Sequence, residues 1–170
     1  ASEPSDATGV DGDHPADGTG KEGEATLTSI FGIESKGKKF VYVFDRSASM
    51  NSGFLATTEG KEPVRFIIFE AAKQELTSSL DKLNRHQQFH LIFYNQETRM
   101  FQGSRSSRRL FPANDKMKYQ VSSFLYQLTA EGETYHLPAV EQALRLRPDV
   151  IFLLTDGEAK DDPSVEDVQD

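Results

Sequence analysis

From Lys39 to Asp45 the chain reads Lys-Phe-Val-Tyr-Val-Phe-Asp, a continuous apolar run of β-branched and aromatic residues bounded by Gly37 and a polar turn. Successive side chains of an extended chain point to opposite faces, so the run predicts a strand buried on both faces, as in parallel sheets. After a Gly-containing loop over 51–60, Pro63 can open a helix in which Phe69, Ala72, Leu76, Leu80 and Leu83 recur every three or four residues. That spacing gathers them on one face, turned toward the sheet. Gln88 to Tyr94 repeats the strand signature, and Arg99 to Gln102 predicts a short edge strand before Gly103. Met117, Val121, Phe124, Leu125 and Leu128 predict a second helix, and Leu137, Val140 and Leu144 a third that Arg147-Pro148 ends. Val150 to Leu154 predicts another strand buried on both faces.

Strands and helices that alternate over short connections predict an α/β fold: an open, doubly wound, mostly parallel sheet with helices on both faces. Ligands of such sheets sit beyond the carboxyl ends of the strands, where the strand order reverses. The residues that follow the two most apolar strands are therefore where chemistry is expected.

Composition changes the picture mainly at the ends. In a chain of 170 residues, large enough for one domain with tails, the mean hydropathy is -0.55 and the formal charge -8. Residues 1–26 hold seven acids against Lys21 alone, a balance of -6, which leaves -2 for the remainder. With Val10 as its only large apolar residue, this Gly-rich segment cannot offset its ordering entropy and is expected to be a disordered tail. Residues 27–162 are expected to form the domain, and 163–170 its acidic end. The near-neutral domain argues against nucleic-acid binding by a basic surface. Asp11-Gly12-Asp13 opens like a calcium loop and Glu22 stands at position 12, but the intervening ligands are missing, so a solvated linker is expected there. The absence of Cys removes disulfide scaffolds, thiol nucleophiles and Cys-ligated metals, and His14, His86 and His90 have no ligand spacing for zinc. No stretch approaches the ~18 apolar residues of a membrane span, so no membrane insertion by this segment is expected. The opening at Ala1 without a charged-then-apolar leader leads to the expectation that a targeting signal is removed or was never present.

After the first strand comes Asp45-Arg46-Ser47-Ala48-Ser49-Met50, and after the last comes Thr155-Asp156-Gly157. Both loops fall at the carboxyl edge of the sheet, which would collect Asp45, Ser47, Ser49 and Asp156. Such a set of hard oxygen donors suits Mg²⁺, which takes near-octahedral oxygen coordination at about 2 Å and keeps waters or a partner oxygen in the remaining positions.

Phe40 to Met50 resembles the opening strand and D-x-S-x-S motif of the von Willebrand factor type A domain, the metal-ion-dependent adhesion site. The resemblance extends over Phe31 to Asp162. It implies that Thr134, in Glu131-Gly-Glu-Thr-Tyr135, and Asp156, in Leu153-Leu-Thr-Asp-Gly157, complete the site. It further implies the Rossmann-like fold of that family and a bound Mg²⁺ or Mn²⁺ with one coordination position open to the Asp or Glu carboxylate of a protein ligand. Ser47, Ser49 and Thr134 would be direct ligands, with Asp45 and Asp156 direct or acting through water. Arg46 and His136 would lie at the rim. The wording of the strands is similar to bacterial members in envelope-associated proteins, which implies an extracytoplasmic or envelope location. The family usually continues past the last Asp loop with a helix and two strands, so the domain is expected to lack its last strands. Val150 to Leu154 would then be an open edge prone to self-association.

Each residue also has a plainer reading. Asp45, Ser47 and Ser49 could be turn residues, Thr134 could belong to a helix N-terminus, and Arg46 could be a surface or loop-stabilising cation. Arg105, Arg108, Arg109, Lys116 and Lys118 read as a solvated loop, with contact to an acidic partner as the alternative. Two other functions compete with adhesion: a Mg²⁺-dependent phosphoryl-transfer enzyme and a metal-free scaffold. Haloacid-dehalogenase-like phosphatases also place Asp after a first buried strand, but they need an acid two residues on, where Ser47 stands, and no Gly-rich phosphate loop is present. A binding module without catalysis is therefore expected.

Overall fold

The structure is a computed structural model that describes residues 25–103 and 108–157. It opens with β1 (Thr26–Ile30) and β2 (Ile33–Gly37), followed by β3 (Lys39–Asp45). A single 3₁₀ turn, Ala48–Asn51, leads to β4 (Gly53–Ala56) and β5 (Val64–Ile67), then α1 (Ile68–Asp81) and β6 (Gln88–Tyr94). The chain continues through β7 (Thr98–Met100), β8 (Phe111–Pro112), α2 (Asp115–Gln127), α3 (Leu137–Arg145) and β9 (Val150–Leu154).

The central sheet has the order β7-β6-β3-β9, with β8 also on β6. β3 pairs in parallel with β6 on one side and β9 on the other, while β7 and β8 run antiparallel to β6. Alternation along the strands divides the core. Phe40, Tyr42 and Phe44 of β3, Phe89, Leu91 and Phe93 of β6, and Phe152 of β9 face one side, under Phe69, Ala72, Leu76 and Leu80 of α1 and Met117, Val121 and Leu125 of α2. Val41, Val43, Ile92 and Tyr94 face the other side, under Ala139 and Ala143 of α3. The first side is filled by aromatic rings, with Tyr42 and Phe152 stacked at 5.3 Å and Phe44 edge-on to Phe93 at 5.8 Å. α1 links β3 to β6 over one face and α3 leads to β9 over the other, so the strand order reverses at β3. The result is the open, mostly parallel α/β sheet with helices on both faces that the apolar pattern predicts.

Some elements differ from expectation. Pro63 does not open α1: it precedes β5, and the helix starts at Ile68. Val64-Arg65-Phe66-Ile67 instead pairs with Gly53 to Ala56, and the Phe54 and Phe66 rings stack at 5.6 Å. Leu83 is buried although α1 ends at Asp81. The short edge strand falls at Thr98–Met100 rather than Arg99 to Gln102. β9 is not buried on both faces, because Leu153 is 49% exposed; among the described residues β9 pairs only with β3. The β1–β2 hairpin docks on α1 through a buried polar cluster: Thr28 Oγ1 donates to the Ser79 carbonyl at 2.8 Å, and the Tyr42 hydroxyl lies 2.8 Å from Ser79 Oγ. Among the described residues, no helix is long and apolar enough to cross a membrane. The expected tail, apart from Ala25 and Thr26, its calcium reading, Arg105 and the acidic end lie outside the described residues.

Candidate functional site

Strand register creates the site. Phe44 is level with Leu154 and Asp45 with Tyr94, so Asp45, Thr155 and Asn95 leave the sheet side by side at its carboxyl edge. Asp45 is fully buried. Its Oδ1 accepts the Ser47 N–H at 2.7 Å and its Oδ2 accepts the Thr155 hydroxyl at 3.0 Å, so the carboxylate is held from both sides. The 3₁₀ turn then brings Ser49 back, with its Oγ 3.0 Å from Ser47 Oγ and donating to Asp156 Oδ1 at 3.0 Å. Asp45, Ser47, Ser49 and Asp156 thus form one connected set. It runs from buried Asp45 and Ser47 to exposed Ser49 and Asp156.

The loop between α2 and α3 is laced onto this edge. Glu131 N–H donates to the Arg46 carbonyl at 2.7 Å, and Ala48 N–H donates to the Gly132 carbonyl at 2.9 Å. Asn51 Nδ2 donates to the Ala130 carbonyl at 2.8 Å and Asn95 Nδ2 to the Glu131 carbonyl at 2.7 Å. Gln96 Oε1 accepts the Glu133 N–H at 3.1 Å. Gly132 has φ +81°, and a Cβ there would collide with Gln96 Oε1, so both the backbone conformation and the close approach favour glycine. Thr134 follows two residues later, half-buried; no hydrogen bond joins it to the other four candidate residues. His136 is half-buried at the start of α3 and edge-on to Tyr94 at 6.4 Å.

Arg46 is only 6% exposed. Its Nη1 lies 3.6 Å from Glu131 Oε1 and 3.5 Å from the Thr129 carbonyl, while Nε has no hydrogen-bond partner. The guanidinium is a buried cation facing Thr129 and Glu131 of the α2–α3 loop. Thr155 lies inside the Leu153-Leu-Thr-Asp-Gly157 stretch without being one of its expected site residues, and Asn95 and Asn51 are supporting residues that no motif marks. Asn95 and Thr155 carry a positional signal, since Asn95 follows β6 and Thr155 follows β9 as Arg46 follows β3; Asn51 carries none.

Among the described residues, no three His, Asp or Glu side chains group to hold a metal ion, so any cation here would depend on the hydroxyls. The donor spacing fits that chemistry. Adjacent ligands of an octahedral ion with bonds of about 2.1 Å stand about 3.0 Å apart. Ser47 Oγ to Ser49 Oγ and Ser49 Oγ to Asp156 Oδ1 are each 3.0 Å. Of the basic cluster, Lys118 serves the fold, since its Nζ donates to the Leu83 carbonyl at 2.7 Å, just past the C-terminus of α1. Arg108, Arg109 and Lys116 are exposed.

No family model matches the chain, and no curated protein matches it. Among solved structures it is similar to von Willebrand factor type A from Catenulispora acidiphila, with a TM-score of 0.59 and 17% identity over 86% of this chain. The match covers 33% of that chain, so the present sequence spans about a third of that length. At this identity the likeness establishes the fold: the chain has the architecture of a von Willebrand factor type A domain, as its strand and loop motifs imply.

Proposed function

We propose that the chain is a divalent-cation-dependent protein-binding module centred on Asp45, Ser47, Ser49, Thr134 and Asp156. The observation that carries this reading is the connected row of oxygens at the switch point of the sheet, with neighbours spaced at 3.0 Å. Mg²⁺ or Mn²⁺ bound there would supply an electrophilic centre able to attract a partner's Asp or Glu carboxylate. Asp45 is the fixed anionic floor, because Ser47 N–H and Thr155 orient its two oxygens. Ser47 and Ser49 present neutral lone pairs above it. Asp156 is an exposed member of the set, and Thr134, two residues past the anchored Gly132, is proposed as the fifth ligand. Neutral hydroxyls leave the ion less neutralised than an all-carboxylate cage would, which favours an anionic partner. Catalysis is not part of this reading: two residues past Asp45, where a phosphatase keeps its second acid, stands Ser47.

The test is a thermal-shift titration with Mg²⁺ and Mn²⁺. A cation that binds only the folded state stabilises by mass action, about 1.4 kcal/mol at ten times its Kd. Wild type should show that rise and Asp45→Ala should not. Equal metal dependence in the two proteins would refute the site.

A further inference from the structure

We infer that the cavity between β7 and the last turn of α3 is a second binding site, separate from the candidate cation centre, and that it takes a small phosphate monoester. The cavity has a volume of about 350 Å³, at the lower end of the range for small-molecule sites, roughly 300–1,000 Å³. Met100, Arg108, Gln142, Arg145 and Leu146 line it. Topology creates the space. Met100 of β7 pairs with Ile92 of β6, and opposed residues of antiparallel strands share a face, so Met100 lies on the α3 side of the sheet. α3 has only nine residues and packs Ala139 and Ala143 on the core of Val41, Val43, Ile92 and Tyr94. Met100 at the edge strand and Leu146 at the helix end are only partly buried against that core, and together they give the cavity an apolar floor. α3 starts after His136, beside Tyr94, and is followed by β9, whose Val150 is level with Phe40 near the start of β3. Its last turn therefore lies toward the amino edge of the sheet, away from Asp45.

The polar lining identifies the ligand class. Gln142 and Arg145, three residues apart on α3, share a helix face, and Arg108 reaches the same cavity from the segment before β8. Two guanidiniums and an amide thus line the cavity, and no acidic side chain does. Arg145 is only loosely paired: its Nη2 stands 3.8 Å from Glu141 Oε2, beyond hydrogen-bond reach, with the two side chains 68% and 66% exposed. The Ala143 and Leu144 carbonyls accept the Leu146 and Arg147 N–H groups, which reduces the negative charge of the helix end. A guanidinium binds phosphate oxygens through paired, charge-assisted hydrogen bonds, and a phosphate monoester carries about -1.5 to -2 at neutral pH, a match for two arginines. The apolar floor favours an ester with an organic body over the bare ion.

The experiment titrates phenyl phosphate, inorganic phosphate and benzoate against the 170-residue chain by calorimetry, without divalent metal. Wild type should bind phenyl phosphate at least about tenfold tighter than benzoate, and tighter than inorganic phosphate. Arg145→Gln and Arg108→Gln, each with the wild-type melting temperature, should weaken phenyl phosphate about tenfold. Arg99→Gln is the control for general charge: Arg99 neighbours Met100 but lies over the Phe124 ring on the opposite face, so the variant should bind as wild type does. Asp45→Ala should also bind phenyl phosphate normally, which separates this site from the cation centre. No binding of phenyl phosphate, equal binding of benzoate, or an equal loss in Arg99→Gln overturns the inference. Inorganic phosphate binding as tightly as the ester would make the cavity a site for the ion alone and overturn the ester. Binding to phosphatidic acid vesicles without binding of phenyl phosphate would place the phosphate on a lipid surface and overturn the small-molecule class.

Discussion

The carboxylate of Asp45 is oriented by a backbone N–H and by Thr155. Ser47→Ala deletes a hydroxyl from the candidate set but keeps the residue 47 N–H on Asp45. It should therefore leave the metal-free melting temperature nearly unchanged and lower the apparent Mg²⁺ affinity, which calorimetric titration can measure. Tyr42 carries a different signal. Burial pushes its phenol up to about 12, against the opposing hydrogen bonds of Ser79 and Thr28. The unfolded chain releases this proton near 10, so between about pH 10 and 12 the folded state binds more protons than the unfolded state and stability falls as pH rises. The contribution is fully present below pH 10 and fades toward 12, on the order of 2 kcal/mol across the window. Denaturant unfolding of wild type and Tyr42→Phe should show the difference, since the variant lacks this component of the alkaline decline; parallel pH profiles would refute the assignment.

Among the elements, β1–β2 holds a local conflict between residue and conformation. The two residues between the paired Ile30 and Ile33 have φ 47° at Phe31 and 77° at Gly32, as a type I′ turn requires. Asn or Gly suits the first of these positions, and a bulky aromatic does not. Phe31→Asn should raise stability by about 0.5–1 kcal/mol, read as a higher denaturation midpoint. The backbone N–H that donates to Glu75 Oε2 is retained in the variant. A fall in the midpoint would mean that the half-exposed ring contributes more than the turn strain costs. The unexpected β4 and β5 show how pairing decides: each is only four residues long, too short for a periodic signal, and their cross-strand pairing makes the hairpin.

At the scale of the whole molecule, the side of the sheet beyond β9 is the conspicuous surface. Val43 pairs with Leu153 in parallel register, so Leu153 faces the α3 side, where Leu137 and Leu144 are also exposed. Such an edge, with unpaired backbone groups among the described residues and no charge in Val150 to Leu154, invites pairing with another copy. The 170-residue chain should associate with rising concentration, and Leu153→Lys should suppress this, as light scattering would detect. A wild-type monomer at every concentration would refute the edge as a contact surface.

The sequence alone determined whatever depends on near neighbours. The apolar runs of β3 and β6 and the three- and four-residue spacing of α1 and α2 are local properties, and their burial follows from them, whereas packing left Leu153 of β9 and Leu137 and Leu144 of α3 exposed and buried Ala139 and Ala143 instead. Asp45, Ser47, Ser49 and Asp156 were legible for the same reason, since each lies within a few residues of a strand end. Tertiary structure decided what depends on distant partners. Only the parallel register on both sides of β3 brings Thr155 to Asp45 and Asn95 to the loop of Thr134. Only packing buries Arg46 beneath that loop, and only cross-strand pairing makes β4 and β5. Hydrogen bonds between residues far apart in sequence leave no periodic trace along the chain, because their geometry arises when the sheet assembles.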